Sequence, residues 1–165
     1  MSISLFPAIN AIYATYFGSA PPTRACVAVL LPSEHLRLKL DGTAHLAPAA
    51  LRKSLHVQSL SYWAAANIGP YSQVIAVGDR AFVAGQIALV PRSLSLPEPF
   101  DFAAESALSL QHVGRVVEAA REKRWSGWGE GGVCWLADVA EDEEWASRMV
   151  AAEVGWKHFT TTHVS

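Results

Sequence analysis

The arginine at position 24 has the side chain best suited to binding a small acid in this sequence. It opens an apolar run, residues 24–31, whose composition is typical of a strand. A guanidinium presents a planar fork of N–H donors, which binds a carboxylate through two parallel hydrogen bonds. The alternative is an exposed arginine at the start of a strand, and the residue type alone favours that alternative.

Two other side chains are of chemical interest. Tyr71 stands at the start of a predicted strand, where an aromatic ring commonly fills the core. Cys26 lies within the apolar run after Arg24. These surroundings favour a thiol in a pocket wall or in the core over a reactive thiolate.

Other chemical motifs are excluded by spacing or by context. The glycine-rich residues 127–132 are not followed by Lys-Ser/Thr and precede a predicted strand, so they do not form a phosphate-binding loop. The 6 histidines show no metal-ligand spacing with each other or with the cysteines. A Gly-x-Ser-x-Gly nucleophile elbow is missing from the sequence. We therefore predict neither a metal nor a cofactor.

Composition narrows the class of protein further. Apolar residues make up 51% and charged residues 17% of the chain, which supplies enough apolar surface for a packed core. The net charge of -2 and the lack of basic clusters argue against a nucleic-acid partner. Both cysteines, Cys26 and Cys134, have apolar neighbours and are expected to be reduced. With no membrane-length apolar run and no charged start to a secretory signal, we expect a cytoplasmic protein without a membrane partner.

The apolar periodicity predicts an α+β fold. Residues 5–17 repeat at helical spacing, whereas residues 36–44 alternate, with Leu36, Leu38 and Leu40 on one side. With the strand at 24–31, the alternating segment is predicted to form an antiparallel pair. A linker follows at 45–53, and the remaining predicted elements are strands at 54–60, 72–77 and 80–89, a loop at 91–100, a helix at 103–121, a strand at 133–139 and a helix at 141–159. One sheet with helices packed on a single face satisfies this order.

Two details of this prediction concern local structure. Gly78-Asp79 is typical of a hairpin turn between two strands. The helix at 103–121 is expected to bury one apolar face, formed by Ala107, Leu110, Val113 (or Gly114) and Val117.

Two ordered blocks carry a resemblance to a known family. Asn-Ile-Gly-Pro-Tyr-Ser-Gln at 67–73, followed by Phe-Val-Ala-Gly-Gln-Ile at 82–87, resembles the opening of the YjgF/RidA (endoribonuclease L-PSP-like) family. Pro-Thr-Arg-Ala-Cys-Val at 22–27 resembles the family's second signature, Pro-x-Arg-x-Cys-Val. That signature belongs near the C-terminus of a family member, yet here it comes first.

The resemblance therefore implies a chorismate-mutase-like (YjgF) sheet whose segments are in circularly permuted order. Residues 1–48 correspond to the C-terminal part of a first repeat, a helix and two strands, and residues 49–165 to the N-terminal part of a second. We expect them to pack as one domain. In that arrangement the strands at 24–31 and 36–44 either fill the places that the second repeat has lost or pair with another chain.

Further strings are similar to the C-terminal tandem repeats of fungal diphthine–ammonia ligases, which act in diphthamide biosynthesis. They are Ser-Tyr-Trp at 61–63, Leu-Ser-Leu-Gln-His at 108–112, and the tryptophans at 125 and 128. The ATP-binding domain of those enzymes has no counterpart in these residues. The resemblance implies a small-carboxylate-binding or assembly module that is not active alone. Two alternatives stay open: a 2-iminobutanoate/2-iminopropanoate deaminase of RidA type, and a non-catalytic trimerisation module.

The resemblance also assigns roles to individual positions. Arg24 matches the arginine that binds the carboxylate of an imino acid in a cleft between subunits of a homotrimer. Tyr71 matches a tyrosine of that cleft, and Gly85 matches a close approach of the backbone to the ligand. Two positions depart from the deaminases. Ala84 replaces a serine, and Lys39 replaces the glutamate that positions water. Asp41 lies on the same strand face as Lys39, about 7 Å further along. Carboxylate binding is expected to survive these changes better than hydrolysis.

Overall fold

The computed structural model describes residues 4–33, 35–46, 48–122, 132–133, 150, 152–154 and 157. It has an α+β fold, as predicted. The elements in chain order are helix α1 (Phe6–Ala14), a 3-10 turn (Ala49–Leu51), strands β1 (Arg52–Leu55), β2 (Val74–Val77) and β3 (Arg80–Val83), and helix α2 (Phe102–Glu122).

The three strands form an antiparallel sheet in the order β1-β2-β3. In β1 and β2, Leu55 lies opposite Val74, and Val74 in turn lies opposite Val83 of β3. Between β2 and β3, Gly78 has a φ of 61°, which lies in the left-handed region that glycine adopts without a steric penalty. The predicted hairpin turn is confirmed.

The core lies between the sheet and α2. The central strand β2 is buried along Val74, Ile75 and Ala76, as its continuous apolar sequence requires. One cluster joins the strands to the helix, and its buried members are Leu55, Ala64, Val74, Ala76, Val116 and Ala120. Within the described residues, no helix is long and apolar enough to cross a membrane.

Helix α2 agrees with its predicted bounds to within one residue at each end. Asp101 caps it, because its Oδ1 accepts hydrogen bonds from the backbone N–H groups of Ala103 and Ala104 at 2.8 and 3.2 Å. The predicted buried face was only partly right. The buried residues are His112, Gly114, Val116 and Ala120, whereas Ala107 is exposed and Leu110, Val113 and Val117 are half-buried.

His112 explains that difference. A prediction based on apolar residues leaves a histidine out of the buried face, yet the His112 side chain is 0% exposed. Its Nε2 lies 2.7 Å from the backbone oxygen of Leu89, and this hydrogen bond satisfies one polar atom inside the core. The stripe of buried residues is therefore rotated by about one residue from the apolar one.

The strands predicted at 24–31 and 36–44 were wrong. The described residues of both stretches have no strand structure, and Leu30 (88% exposed) and Leu40 (74%) face solvent. Alternation and β-branched composition favour a strand only where a neighbouring strand supplies hydrogen bonds and packing. Among the described residues, the backbone hydrogen bonds to the sheet region lie at or just before the start of the first stretch, from Ser72 N to Pro22 O (3.1 Å) and from Gly85 N to Arg24 O (3.2 Å).

The strands predicted at 54–60, 72–77 and 80–89 are present but shorter than predicted, and β1 begins inside the predicted linker. A side chain replaces part of the missing ladder, because Gln73 accepts a hydrogen bond from Val57 N at 2.9 Å and donates one to Val57 O at 3.2 Å. The loop at 91–100 is irregular, as predicted, apart from a single bridge between Val90 and Ser95. The strand predicted at 133–139, most of the helix at 141–159, and Trp125, Trp128 and Cys134 lie outside the described residues.

Candidate functional site

Arg24 and Tyr71 lie side by side in the folded chain. The guanidinium carbon of Arg24 is over the Tyr71 ring, 5.8 Å from its centroid. The two residues belong to the two displaced blocks of the sequence. Their contact brings together the residue types that a carboxylate site needs, a cationic fork and an aromatic wall.

Backbone hydrogen bonds bring the arginine to this position. The segment before Arg24 runs beside the residues that lead into β2. Ser72, which is 0% exposed, donates from Oγ to Pro21 O at 2.6 Å and from its backbone N–H to Pro22 O at 3.1 Å. On the other side, Gly85 N donates to Arg24 O at 3.2 Å. The segment formed by residues 21–24 is therefore fixed through its backbone oxygens to the residues just before β2 and just after β3.

Helix α1 contributes three further side chains. Phe6, Asn10 and Tyr13 have the i, i+4, i+7 spacing that places residues on one face of a helix. The guanidinium carbon of Arg24 lies over the rings of Phe6 and Tyr13, 5.5 and 4.7 Å from their centroids. Asn10 Oδ1 accepts a 2.6 Å hydrogen bond from Arg24 Nη2.

Gly69 completes the surroundings of the guanidinium. A Cβ atom at this position would lie 2.9 Å from Arg24 Nη2 and 3.1 Å from Asn10 Nδ2, so glycine allows this close approach without displacing either side chain. We call these six residues the Arg24 site: Phe6, Asn10, Tyr13, Arg24, Gly69 and Tyr71. All six are half-buried.

A second set of polar side chains supports the Gly69 turn. Asn67 Nδ2 donates to Gly69 O at 2.5 Å and lies 3.1 Å from Nε2 of His56. The Nδ1 atom of His56 is 3.0 Å from Ser19 O. A histidine protonated at Nδ1 satisfies both contacts, donating to Ser19 and accepting from Asn67. This network connects the residues that follow α1 to the turn against which Arg24 packs.

The electrostatics of the site favour an anionic ligand. Within the described part of the chain, Asn10 is the one hydrogen-bond partner of the guanidinium, and no carboxylate forms an ion pair with it. Burial raises the pKa of Tyr71, against smaller opposing effects from the backbone of Ile68 and from Arg24. Burial likewise raises the pKa of Tyr13, again opposed by Arg24. Both phenols are therefore neutral at pH 7, and Arg24 supplies the charge.

The other residues predicted for the site do not contact the Arg24 guanidinium in the described structure. Gly85 does allow a close approach, but to the chain itself, since a Cβ there would be 3.3 Å from Ala25 Cβ. Ala84 is buried and its N–H donates to Gln73 O at 2.9 Å. Cys26 is an exposed free thiol, which corrects the expectation of a buried one.

Lys39 and Asp41 pair with each other instead of facing the guanidinium. Their charged atoms are 3.2 Å apart, and the side chains are 65% and 81% exposed. Because their stretch is not a strand, the register argument that placed them on one face of a sheet does not apply. Among the described residues, no group of three or more His, Cys, Asp or Glu side chains could bind a metal ion.

Sequence reasoning missed Phe6, Asn10, Tyr13 and Gly69 as members of the site. One signal was available in the first helix. Asn10 is a polar residue within an otherwise apolar stripe, four residues after Phe6 and three before Tyr13. A polar side chain on the partly buried face of a helix often has a specific hydrogen-bond partner, and here that partner is Arg24.

Comparisons with known proteins identify the relatives of this chain. No family model matches it. A diphthine–ammonia ligase of Schizosaccharomyces pombe is 41% identical over 121 residues, which cover 73% of this chain and 19% of that protein. The Saccharomyces cerevisiae enzyme is 37% identical over 139 residues, covering 73% of this chain and 20% of that protein. The chain is homologous to the C-terminal part of fungal diphthine–ammonia ligases. It spans about a fifth of their length, and the resemblance stated from the sequence is confirmed.

Solved structures of YjgF/RidA proteins also match. E. coli TdcF, solved with bound serine, has a TM-score of 0.46 and 23% identity over 65% of this chain and 75% of its own. The YjgF gene product of E. coli has a TM-score of 0.44 and 25% identity over 67% and 76% of the two chains. RidA from an Antarctic Psychrobacter species has a TM-score of 0.39 and 22% identity over 64% and 73%.

Proposed function

We propose that this chain is the YjgF/RidA-like region of a cytoplasmic diphthine–ammonia ligase, and that it binds a small carboxylate at Arg24. The observation that carries the proposal is the guanidinium itself. It is half-buried against three aromatic rings, yet within the described residues its hydrogen bonding is limited to the one bond with Asn10. A cation in such surroundings favours an anion that brings hydrogen-bond acceptors.

The geometry of a guanidinium supports a bidentate ligand. The group has five N–H donors, and two of its edges each present a pair of them to a carboxylate. Asn10 takes one N–H of Nη2. Since the two N–H bonds of Nη2 belong to different edges, one edge keeps both of its donors. That edge is the proposed carboxylate position.

The resemblance to the ligase repeats suggests how the region serves the larger enzyme. A complete diphthine–ammonia ligase amidates the diphthine side chain of elongation factor two, using ATP and ammonia. The present sequence has no Ser-Gly-Gly-x-Asp-Ser nucleotide loop. We therefore propose that this region is a small-ligand-binding or assembly module. The ATP-dependent step would then belong to other parts of the enzyme.

We propose that the assembly is a homotrimer. The stretches at 24–31 and 36–44 have strand composition, and their Leu30, Leu38 and Leu40 are 88%, 51% and 74% exposed. Among the described residues the sheet has three strands, and its outer strands, β1 and β3, each have one neighbour. A segment and a sheet edge that the described residues leave unpaired can both be satisfied by a second copy of the chain. Such pairing would also complete the permuted YjgF sheet proposed for this chain.

Titration by NMR tests the carboxylate site. We expect acetate, pyruvate and serine to shift the resonances of the Arg24 guanidinium and of the Gly69 and Tyr71 amides. Arg24→Gln removes the charge and the fork, so affinity should fall at least about tenfold. Arg37→Gln is the matched control, because Arg37 is exposed. Binding that is equally tight in Arg24→Gln would overturn the proposal.

Analytical ultracentrifugation tests the assembly. We expect a trimer for the native chain and a smaller species when Leu38 and Leu40 are both replaced by lysine, because charges there disfavour burial in an interface. Arg37→Gln again serves as the control on the same stretch. A native chain that is monomeric at high micromolar concentration contradicts the trimer without affecting the carboxylate site.

A further inference from the structure

Tyr13 is the aromatic residue closest to the functional group of Arg24. The guanidinium carbon lies 4.7 Å from the Tyr13 ring centroid, compared with 5.5 Å for Phe6 and 5.8 Å for Tyr71. The Tyr13 ring is itself supported by Phe17, which follows the end of α1: the two ring centroids are 4.5 Å apart, with 43° between the planes. Helix α1 thus brings a braced aromatic surface against the arginine.

Such a surface matters because an arginine side chain has many rotamers. Ordering it when a ligand arrives reduces the affinity for that ligand, whereas ordering it beforehand avoids the loss. Asn10 fixes one nitrogen of the guanidinium. A single hydrogen bond leaves the plane of the group free to turn about that contact. A ring beneath the guanidinium restricts this rotation through cation–π and stacking contacts.

We propose that Tyr13 is a positioning residue, whose ring holds the Arg24 guanidinium so that its complete N–H edge faces an incoming carboxylate. The ring performs this role without its hydroxyl, because the described residues provide no hydrogen bond to the Tyr13 phenol. The effect of Tyr13 on ligand binding rests on the proposed function. Its effect on the order of the Arg24 side chain concerns the free protein and does not depend on that function.

Four variants and two measurements test this role. The first measurement is the ¹⁵N relaxation order parameter of the Arg24 Nε–H group in the free protein, and the second is the dissociation constant for pyruvate. Tyr13→Phe keeps the ring and should match the native chain in both. Tyr13→Leu and Tyr13→Met keep an apolar side chain without the ring. Both should lower the order parameter and weaken pyruvate binding about two- to fivefold, the size of an exposed cation–π contact. Tyr16→Leu is the control, since Tyr16 is a tyrosine in the turn just after the same helix and is 77% exposed.

The outcomes separate the two proposals. An unchanged order parameter and unchanged affinity in the ring-free variants would overturn the role of Tyr13. A loss in Tyr13→Phe as large as that in Tyr13→Leu would overturn it too, because the hydroxyl would then be responsible. If the native chain does not bind pyruvate, or Arg24→Gln binds it equally well, the proposed function fails while the order parameter still decides the role of Tyr13. Circular dichroism excludes any variant that has lost its fold, and the two ring-free replacements provide a second test where one does not fold.

Discussion

Asn10 accepts a 2.6 Å hydrogen bond from Arg24 Nη2, and this bond joins the first helix to the segment that is anchored on the β-hairpin. The asparagine side chain at this position carries no net charge. Its oxygen accepts a hydrogen bond from the guanidinium as a carboxylate would, yet it leaves the positive charge uncompensated. The bond therefore orients the arginine without neutralising it.

Replacing Asn10 by aspartate should raise the stability of the protein and lower its affinity for a carboxylate ligand. An aspartate would form an ion pair with Arg24, which we expect to raise the free energy of unfolding by about 0.5–1 kcal/mol. The same ion pair would compete with a bound carboxylate, so affinity for pyruvate should fall at least about tenfold. Urea unfolding and calorimetric titration measure the two effects. The control is Asn10→Ala, which should lower both stability and affinity; a gain in affinity for Asn10→Asp would contradict the assignment of the site.

Replacing Gly69 by alanine should affect binding more than stability. The added Cβ would lie 2.9 Å from Arg24 Nη2, which is the flexible end of a side chain and can move aside. We therefore expect a stability loss of about 1 kcal/mol or less. The displaced guanidinium would no longer present its fork correctly, so pyruvate affinity should fall about tenfold.

Gly42→Ala is the matched control for that change, because nothing lies within 4 Å of a Cβ at Gly42. It should alter neither unfolding by urea nor binding by calorimetric titration. If Gly69→Ala binds pyruvate as tightly as the native chain does, the packing of this glycine against the arginine is irrelevant to the ligand.

The contact between Arg24 and Tyr71 could be anticipated from the sequence, whereas the helix that supports it could not. Two signature blocks in the wrong order indicated that a folded chain must bring them together. Residues 5–17 were predicted only as a helix with one apolar face, without a role for Asn10, because periodicity shows which face is covered but not which residue covers it. The residue that packs on this helix face is Arg24, and tertiary hydrogen bonds from Ser72 to Pro21 and Pro22 hold its segment in place.

The strand predictions differed in outcome for a related reason. The hairpin around Gly78 has its turn and both partners within a few residues, so local sequence determines it. The stretch containing Leu36, Leu38 and Leu40 has equally clear alternation, but alternation does not specify a partner. In the structure these leucines stay exposed. A strand is a property of a pair of segments, and only one member of this pair could be read from the residues.

His112 should make the stability of the protein depend on pH. Burial lowers its pKa, and the nearby charge of Arg115 lowers it further, while the hydrogen bond with Leu89 acts in the opposite direction. Because the unfolded chain then binds a proton more readily than the folded one, stability is complete above the ordinary histidine pKa of about 6.5 and decreases as the pH falls below it. In that range the slope for one such group approaches about 1.4 kcal/mol per pH unit.

Urea unfolding between pH 8 and pH 5 measures this dependence. His112→Gln should reduce the slope, since glutamine can donate to Leu89 O but does not titrate. His35→Gln is the control, because His35 is exposed. A slope that is the same in the native chain and in His112→Gln would mean that other groups cause the acid sensitivity.

The chain should not hydrolyse imines, although the sequence around Arg24 resembles the arginine signature of the RidA deaminases. Activating water beside a bound imine requires a carboxylate close to the ligand. In the part of the chain that the structure describes, Asp41 is paired with Lys39 on an exposed stretch, and Arg24 has no acidic neighbour. We expect no acceleration when enzymatically generated 2-iminopropanoate is hydrolysed in competition with semicarbazide.

The position of Lys39 makes this prediction testable in a second way. In the resemblance to the deaminases, Lys39 occupies the place of the water-positioning glutamate, so Lys39→Glu restores the residue type. If the exposed stretch remains unpaired, this variant should stay inactive, because the new carboxylate would be in solvent. If assembly with a second copy brings the stretch into a sheet beside an Arg24 site, Lys39→Glu should gain a rate that is lost again in the double variant with Arg24→Ala. A rate gain in the native chain that Arg24→Ala abolishes would instead establish the deaminase and contradict a purely ligand-binding role.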